Sequence, residues 1–283
     1  MHMANTDAKP KDGFFKPPQP RPVTVLRTQR LSEHLQRVIL TGDGLLGFPE
    51  GWESAHIKLI FKRPHQEVLT LPTLGPKGPI WPEDKSLRPD VRVYSVRSYD
   101  SKTNELAVDF ALHDHGVATT WARQAKPGDE VGLGGPGGYC PKPPAADFYL
   151  FAGDLSAISG MGGLLETLPD DACGHALILV CTPEDVFDIK PPKHVQITWL
   201  YGSDLPNSEQ KVIDELKNLT LPSHGLWAWL AGEQALVVGV RSHLKNTFGM
   251  TAKQMYAMPF WKRGRDEDAY HEERHDVMHQ FED

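Results

Sequence analysis

The sequence predicts a two-domain protein of the α/β plus β class, in which a six-stranded antiparallel barrel precedes a parallel α/β domain. In the first half, short runs that alternate apolar and polar residues are bounded by Gly, Pro or Asp, which is typical of antiparallel strands. From residue 147, continuous apolar runs alternate with helix-like stretches, which indicates a parallel sheet covered on both faces. The length of 283 residues suits two domains. We expect a mobile tail at 1–21, the barrel at 22–140, the α/β domain at 146–258 and a C-terminal extension at 259–283.

The tail is predicted from its prolines, and the first strands follow it directly. Pro10, Pro17, Pro18 and Pro20 interrupt any regular element. From residue 22, the runs VTVLRTQRLS, LQRVILTG and AHIKLIFKR each predict a strand. Residues 71–89 are too rich in Pro and Gly for a regular element and predict a loop. A loop of this length either lines a site or is a tolerated insertion.

The fourth predicted strand, VRVYSV at 91–96, carries residues with an evident chemical use. Arg92 and Tyr94 are two residues apart and therefore project from the same face of a strand. They offer a guanidinium fork for a phosphate and a flat ring that could cover an aromatic ligand. Ser95 adds a hydroxyl that donates and accepts, which suits a flavin ring nitrogen. The alternative is an ordinary antiparallel strand with one polar face.

A short helix after the fifth strand predicts an anion site. We expect strands at 105–112 and 130–133 and a helix at 117–124 between them. After Gly116, the first turn of this helix presents free N–H groups and the hydroxyls of Thr119 and Thr120, which suit a pyrophosphate. The run GLGGPG at 132–137 satisfies the pattern G-x-G-x-x-G. Prolines follow it instead of a helix, so we interpret it as part of the linker between domains.

The second half alternates strands with helices. We expect strands at 148–152, 176–181, 195–200 and 226–231, and helices at 157–168, 208–219 and 234–246. Parallel sheets bind their ligands at the carboxyl ends of the strands. That rule places Gly153-Asp154, Cys181-Thr182 and Gly232-Glu233 along one rim.

The C-terminal extension contains HEERH at 271–275, which satisfies the zinc-protease pattern H-E-x-x-H. We reject that interpretation because the segment is charged all round, whereas the zinc-binding helix of a protease is largely buried. We expect a solvated, helical segment and no metal site.

Composition excludes several classes of protein. Cys140, Cys173 and Cys181 are odd in number and lack C-x-x-C spacing, which argues against a disulfide framework, a thiolate zinc site or an iron–sulfur cluster. The formal charge of −7 argues against nucleic acid as a partner. The chain has no apolar run near the roughly 20 residues of a membrane helix, and its first residues lack the apolar core of a signal peptide. We therefore expect a cytoplasmic protein with no membrane partner.

The motifs occur in an order that resembles the siderophore-interacting proteins, a family of flavin-dependent ferric reductases within the ferredoxin-reductase-like superfamily. The resemblance covers about residues 22–270. In the first half it rests on RVYS at 92–95, DFALH at 109–113, GVATTWA at 116–122, PGD at 127–129 and GP at 135–136. In the second half it rests on AGDLSA at 152–157, AWLAGE at 228–233 and FWKRG at 260–264.

This resemblance implies FAD in the barrel and NADH or NADPH as electron donor at the rim of the α/β domain. The residues implied to bind FAD are Arg92, Tyr94, Ser95, Asp109, His113, Gly116, Val117, Ala118, Thr119 and Thr120, and the two implied to be catalytic are Tyr94 and Ser95. The residues implied to face the donor are Gly153, Asp154, Ser156, Gly232 and Glu233. His113 is either a flavin contact or a packed histidine at a strand end.

Two departures from the family pattern leave the donor open. Ser156 and Ser159 stand where the family usually has Thr and Pro, and no basic residue follows the second strand to hold a 2′-phosphate. A ferredoxin is therefore an alternative donor.

The resemblance further implies that electrons pass from the donor through FAD to Fe(III) held in a siderophore, which releases iron as Fe(II). Because ferric catecholates and citrates are anions and the chain carries −7, we expect a local basic cluster of Lys262 and Arg263, with Lys58 as a third member. One alternative is a general NAD(P)H–flavin oxidoreductase that reduces a ferredoxin, a quinone or free flavin. The other is a siderophore carrier in which flavin is only structural.

Overall fold

The computed structural model describes residues 14–114 and 116–281, except for the side chains of residues 267, 268, 271 and 272. Strands of the first domain are β1 (Arg21–Arg30), β2 (Leu35–Thr41), β3 (His56–Phe61), β4 (Thr73–Gly75), β5 (Gly78–Ile80), β6 (Asp90–Ser95), β7 (Ser98–Asp100), β8 (Glu105–Ala111) and β9 (Glu130–Gly134). Strands of the second domain are β10 (Phe148–Asp154), β11 (Cys173–Val180), β12 (His194–Tyr201), β13 (Leu226–Glu233) and β14 (Met255–Trp261). The helices are α1 (Val117–Gln124), α2 (Ile158–Glu166), α3 (Glu209–Asn218), α4 (Gln234–Phe248) and α5 (Glu267–His279).

The first domain is a curled antiparallel sheet in the order β6-β3-β9-β1-β2-β8-β7. Its edge strands β6 and β7 are consecutive in the chain and are separated only by Val96 and Arg97. The sheet therefore curls until its two edges meet, and Arg97 donates its N–H to Ala107 of β8 across the seam. Counting β6 and β7 as one broken strand gives the six strands that alternation predicts. The predicted antiparallel barrel is confirmed.

Two segments that were predicted to be irregular contact this barrel. Residues 71–89 contain the short hairpin of β4 and β5, and the side-chain amide of Gln19 exchanges hydrogen bonds of 3.0 and 2.6 Å with the backbone of Leu74. The backbone of Phe15 exchanges two more with Gly138. The described part of the predicted tail is thus held against the barrel, and β1 begins inside it at Arg21. The rest of that tail, residues 1–13, lies outside the described residues.

The second domain is the predicted parallel sheet, in the order β12-β11-β10-β13-β14. Side chains of β10 alternate between two cores: Phe151 packs with residues of α2, whereas Leu150 and Ala152 pack with residues of α3 and α4. Burial on both faces explains why these strands read as continuous apolar runs. A fifth strand, β14, crosses the predicted domain boundary at residue 258 and pairs with β13.

Chain order reverses at β10, whose neighbours are β11 and β13. Open α/β sheets bind ligands at such a switch point, outside the carboxyl ends of the strands. Asp154 ends β10 and Glu233 ends β13, so the rim predicted from the sequence includes the switch point.

The C-terminal segment forms α5, as expected for a helical extension. Tyr270 is 1% exposed, and burial raises the pKa of its hydroxyl to about 12. The side chains of His271 and Glu272, on which the zinc-protease pattern depends, lie outside the described part of the chain. No helix within the described ranges is long and apolar enough to cross a membrane.

Candidate active site

Arg92 and Tyr94 project from the core face of the barrel. Arg92 lies opposite Leu59 and Tyr94 lies opposite Ile57 in the pairing of β6 with β3. Leu59 and Ile57 are core residues, and directly opposed residues share a face of the sheet. The Tyr94 ring packs on Phe110 with the ring centroids 4.4 Å apart. The prediction that Arg92 and Tyr94 share a face agrees with this geometry.

Helix α1 lies beside Tyr94 and presents its N-terminus without a side-chain cap. Trp121 of α1 packs on Phe110 at 5.7 Å and on Phe61 at 5.3 Å, which fixes the helix across the core face. Gly116 has a φ of 127° and no side-chain capping bond. The N–H of Thr120 is bonded to the Gly116 carbonyl, whereas the N–H groups before it have no acceptor within the helix. These N–H groups lie where the sequence predicts an anion site.

Three side chains around that helix terminus differ in availability. Thr119 is buried and donates its hydroxyl to the Ala111 carbonyl, at 3.4 Å, whereas Thr120 is exposed. His113 is also exposed, which opposes the alternative of a packed histidine. Its Cε1 atom lies 3.0 Å from where a Cβ on Gly116 would sit. Glycine therefore lets the imidazole lie against the start of α1.

Ser95 and Asp109 face the other domain instead of the barrel core. Alternation along β6 puts Ser95 on the face opposite Tyr94, where its Cβ lies 3.2 Å from the position of a Cβ on Gly160 in α2. Asp109 precedes Phe110 on β8, and Phe110 packs in the barrel core. Alternation therefore puts Asp109 on the face that points away from that core.

The Asp109 carboxylate is held by two arginines, and its predicted contact with FAD stays a prediction. Arg37 binds it in a bidentate pair at 2.6 and 2.8 Å, and Arg97 lies 3.6 Å away. Arg97 also pairs with Glu166 at the end of α2, at 2.7 Å. Asp109 therefore joins a buried ion-pair network between barrel and α/β domain.

Ser159 of α2 closes the barrel seam. Its hydroxyl donates to the carbonyl of Ser95 at 2.9 Å and accepts from the N–H of Asp109 at 3.2 Å. These groups belong to β6 and β8, which do not pair with each other at this point. The serine that departs from the family pattern is thus a structural bridge. The departure was visible in the sequence, but its use depends on the tertiary structure.

At the rim, the Asp154 carboxylate is completely engaged by the protein. Its Oδ1 accepts from the N–H and the hydroxyl of Ser156 at 2.8 and 2.6 Å. Its Oδ2 accepts from the N–H of Glu233 at 2.6 Å and from the indole of Trp261 at 3.0 Å. Burial raises the pKa of Asp154, and these four donors oppose that effect. A Cβ on Gly232 would lie 2.7 Å from this carboxyl group.

Glu233 is the N-cap of α4. One of its carboxylate oxygens accepts from the backbone N–H groups of Ala235 and Leu236, and the other accepts from the N–H of Arg263 at 3.2 Å. A Cβ on Gly153 would lie 2.6 Å from the Ala231 carbonyl oxygen. The rim is therefore shaped by Asp154, Ser156, Glu233 and both glycines. Their hydrogen bonds join parts of the protein to one another, and their predicted contact with the electron donor stays a prediction.

The structure does not bring the predicted basic cluster together. The Lys262 ammonium pairs with Glu273 of α5. The Arg263 guanidinium instead bonds the carbonyls of Ser203 and Asp204, at 2.7 and 3.0 Å. Lys58 lies on β3, opposite Val93. Lys262 and Arg263 are adjacent in sequence but have different partners, so the expected three-residue patch is not formed.

A second contact between the domains involves His56 of β3, which sequence reasoning missed. The Tyr256 hydroxyl lies 3.0 Å from His56 Nε2, and the Tyr256 ring stacks on Trp229 at 5.6 Å. Because His56 and Tyr256 are 200 residues apart, no local pattern announces the contact.

One group of side chains has metal-ligand character. Ligand atoms of His34, Cys181 and Asp185 all lie within 4.8 Å of one another. Asp185 is fully buried and already accepts from the hydroxyl of Ser32 at 2.6 Å and from the N–H of Thr182 at 3.0 Å. His34 Nδ1 lies 3.0 Å from the same carboxylate. Hydrogen bonds account for this arrangement, which links the β1–β2 turn to the loop after β11.

Family models match both domains. A siderophore-interacting FAD-binding domain matches residues 24–140, and a siderophore-interacting protein model matches residues 146–264. The ferric vibriobactin reductase ViuB of Vibrio cholerae is 40% identical over 263 residues, which are 92% of this chain and 95% of the relative. The chain belongs to the siderophore-interacting protein family.

Two further relatives agree. The NADPH-dependent ferric-chelate reductase of Escherichia coli K12 is 34% identical over 77% of this chain and 83% of its own length. The crystal structure of the siderophore-interacting protein SipS from Aeromonas hydrophila matches with a TM-score of 0.80 and 36% identity, over 92% of this chain and 98% of that chain. The two-domain fold implied by the resemblance is therefore confirmed.

The residues of the first domain fit the flavin dinucleotide that this family binds. Arg92 supplies a guanidinium for a phosphate, the start of α1 supplies N–H donors, and the Tyr94 ring supplies a flat apolar surface. All three lie on or beside the core face of the barrel. FAD, when bound, supplies the redox chemistry, and these residues would hold its phosphates and its ring.

Proposed function

We propose that this protein reduces ferric siderophores, with FAD in the barrel passing electrons from a reduced nicotinamide dinucleotide to Fe(III). The observation that carries the proposal is that a barrel with Arg92, Tyr94 and the start of α1 on or beside its core face is joined through α2 to a parallel sheet with a switch point at β10. The relatives named as ferric vibriobactin reductase and ferric-chelate reductase support the same reaction.

The electron balance is simple. A hydride from the donor carries two electrons, which reduce two Fe(III) ions to Fe(II). Flavin accepts a hydride and releases electrons singly, so it couples the two halves. Siderophores hold Fe(III) more tightly than Fe(II), so the reduction releases the metal. The protein contributes position and electrostatics.

We also propose the cytoplasm as the site of action, because reduced nicotinamide dinucleotides are abundant there.

A ferredoxin as electron donor is the competing proposal, and it predicts that flavin reduction by NADH and NADPH is slow.

Of the predicted basic cluster, we retain Lys58 as a contact for an anionic chelate, since it is exposed on β3.

An anaerobic titration tests this function. Purified protein loaded with FAD should bleach near 450 nm on addition of the donor and recover its colour with a ferric siderophore, while a ferrous chelator reports one Fe(II) for each electron. Catecholate, hydroxamate and citrate chelates should be compared. Reoxidation by a quinone or free flavin, but by no iron chelate, would favour the general flavin oxidoreductase. Protein that binds the chelate but never bleaches would favour the carrier.

A further inference from the structure

The loop after β12 completes the rim beyond the switch point. Backbone bonds from Gly202 to the Cys181 carbonyl and from Ser203 to the Val180 carbonyl, at 2.9 and 3.0 Å, lay this loop on the end of β11. A small cleft is lined by Asp154 and Glu233 at the switch point and by Ser203 of this loop. The loop therefore borders the switch point, where parallel sheets bind their ligands.

Two cations from distant parts of the chain converge on this loop. Lys211 of α3 donates its ammonium to the Tyr201 carbonyl at 2.6 Å. Arg263, which follows β14, donates to the carbonyls of Ser203 and Asp204. Both side chains are exposed, and neither forms an ion pair with a carboxylate among the described residues. Their positive charge therefore remains available to an anion.

The same loop offers apolar surface beside the two cations. Tyr201 is 42% exposed and Leu205 is 50% exposed. A Cβ on Gly202 would lie 3.0 Å from both the Leu205 Cδ1 atom and the Lys211 Nζ atom. An exposed aromatic ring, an exposed aliphatic side chain and two cations within one short loop suit a flat base that carries a nearby phosphate.

We propose that Lys211 and Arg263 bind the 2′-phosphate of the donor, which makes this protein selective for NADPH over NADH. The inference rests on the proposed function in taking a nicotinamide dinucleotide as the donor. The basic groups that the loop after β11 lacks are supplied by α3 and by the segment after β14. An exposed ammonium or guanidinium beside a phosphate changes affinity by about two- to fivefold per group.

Three carboxylates line the cleft, those of Asp154, Glu209 and Glu233. Asp154 and Glu233 accept hydrogen bonds from the protein at the switch point, and Glu209 lies in the first turn of α3, where the helix N-terminus stabilises a carboxylate. Asp204 contributes a main-chain carbonyl to the Arg263 guanidinium. The negative charges of Asp204 and Glu209 oppose the positive charges of Lys211 and Arg263 and therefore limit the selectivity.

Calorimetric titration of the FAD-loaded protein with two nucleotides tests the inference without turnover. Adenosine 2′,5′-bisphosphate and adenosine 5′-monophosphate differ only in the 2′-phosphate. We expect the bisphosphate to bind about four- to twenty-fivefold more tightly. Lys211→Met and Arg263→Gln should each lower its affinity about two- to fivefold and should change the monophosphate affinity less than about twofold. Raising the salt concentration should shrink the preference.

Lys217→Met is the matched control, because Lys217 lies on the same helix and pairs with Asp214 at 3.0 Å. It should leave both affinities unchanged. Equal binding of the two nucleotides by the unaltered protein, or an undiminished preference in the double variant, would overturn the inference. Failure of the bisphosphate to bind would overturn it as well.

These failures are distinguishable from failure of the proposed function. Protein whose flavin has been reduced with dithionite needs no nicotinamide donor. If it still reduces a ferric siderophore, the ferric reductase function stands even when the 2′-phosphate site does not.

Discussion

Asp154 shows how a residue at a ligand-binding rim can be required by the fold. It ends β10 at the switch point, where a carboxylate is a reasonable donor contact. In the structure, four donors from Ser156, Glu233 and Trp261 occupy its two oxygens. It thereby ties together the ends of β10, β13 and β14, and the rim depends on it.

Asp154→Asn should therefore lower stability more than it lowers nucleotide affinity. The asparagine amide cannot accept from the donors now bound to one oxygen, so the free energy of unfolding should fall by about 2–3 kcal/mol. Urea denaturation measures this, and Asp171→Asn at an exposed turn is the control, with an expected change within about 0.5 kcal/mol. Unchanged stability with weakened binding of adenosine nucleotides would instead make Asp154 a donor contact.

Arg92→Ala should weaken FAD binding. A charge-assisted hydrogen bond to a phosphate contributes about 1.5–3 kcal/mol, which corresponds to roughly ten- to a hundredfold in affinity. Equilibrium dialysis with absorbance at 450 nm gives the dissociation constant. Arg27→Ala is the matched control, because that exposed arginine pairs with Glu105 on the barrel surface. If the two variants retain the same FAD affinity, Arg92 is not a phosphate ligand.

Elements meet most closely at the barrel seam, where α2 supplies what the strands lack. The chain passes from β6 to β7 through Val96 and Arg97, and the two halves pair with opposite sides of the sheet. Between them, the Ser95 carbonyl and the Asp109 N–H are bridged by Ser159. One hydroxyl therefore replaces a ladder hydrogen bond, and it anchors α2 to the barrel.

Ser159→Ala should remove this bridge and leave a buried donor and a buried acceptor unpaired. The expected loss is about 1–3 kcal/mol in the free energy of unfolding. Thr167→Ala is a control at the C-terminal end of α2, because that hydroxyl bonds only carbonyls of its own helix. Equal losses in the two variants would mean that the bridge has no special value.

The elements themselves follow from local pattern, whereas their joints do not. Alternation predicts the barrel strands, and apolar runs predict β10 to β13, because a strand's burial repeats along its own sequence. The pattern did not reveal that β6 breaks after Ser95, since the break is set by closure of the sheet. The hairpin of β4 and β5 was missed because Gln19, a residue far away in sequence, holds its backbone.

The same division holds for the candidate site. Arg92 and Tyr94 were predictable because two-residue spacing fixes their common face. That rule also separates Asp109 from Phe110, so its place at the domain interface was accessible from the sequence. The meeting of Lys211 and Arg263 at one loop was not predictable, because they reach that loop only after α3 and β14 have packed on the sheet.

At the scale of the whole molecule, the two domains share a core. Leu35 of β2 is fully buried in the cluster that includes Phe151 and Ile158, and Leu31 and Ala111 pack against it. Around this apolar contact lie the Asp109 ion pairs, the His56–Tyr256 contact and the link between His34 and Asp185. The shared core keeps the Arg92–Tyr94 face of the barrel and the switch point of the parallel sheet at fixed positions relative to each other, which electron transfer between the two domains requires.

The hydrogen bonds of Asp185 make the contact between the two domains sensitive to acid. Burial opposes ionisation of Asp185, but hydrogen bonds from Ser32, Thr182 and His34 outweigh it and lower its pKa below the ordinary value. Burial raises the pKa of the neighbouring Cys181 thiol, so that group stays neutral in acid. A carboxyl group whose pKa is lower in the folded state stabilises the fold above its unfolded pKa, near 4, and loses that contribution as the pH falls through its folded pKa.

Asp185→Asn should consequently cost about 1–3 kcal/mol in the free energy of unfolding between pH 5 and pH 7, and the difference from the unaltered protein should narrow below about pH 4. Urea denaturation at a series of pH values measures both effects. Asp188→Asn is the matched control three residues away, because that aspartate is exposed and only pairs with Lys190 at 3.6 Å. It should change stability by less than about 0.5 kcal/mol at every pH. A deficit for Asp185→Asn that persists undiminished into acid would mean that the carboxylate charge is irrelevant and that shape alone holds the β1–β2 turn against the α/β domain.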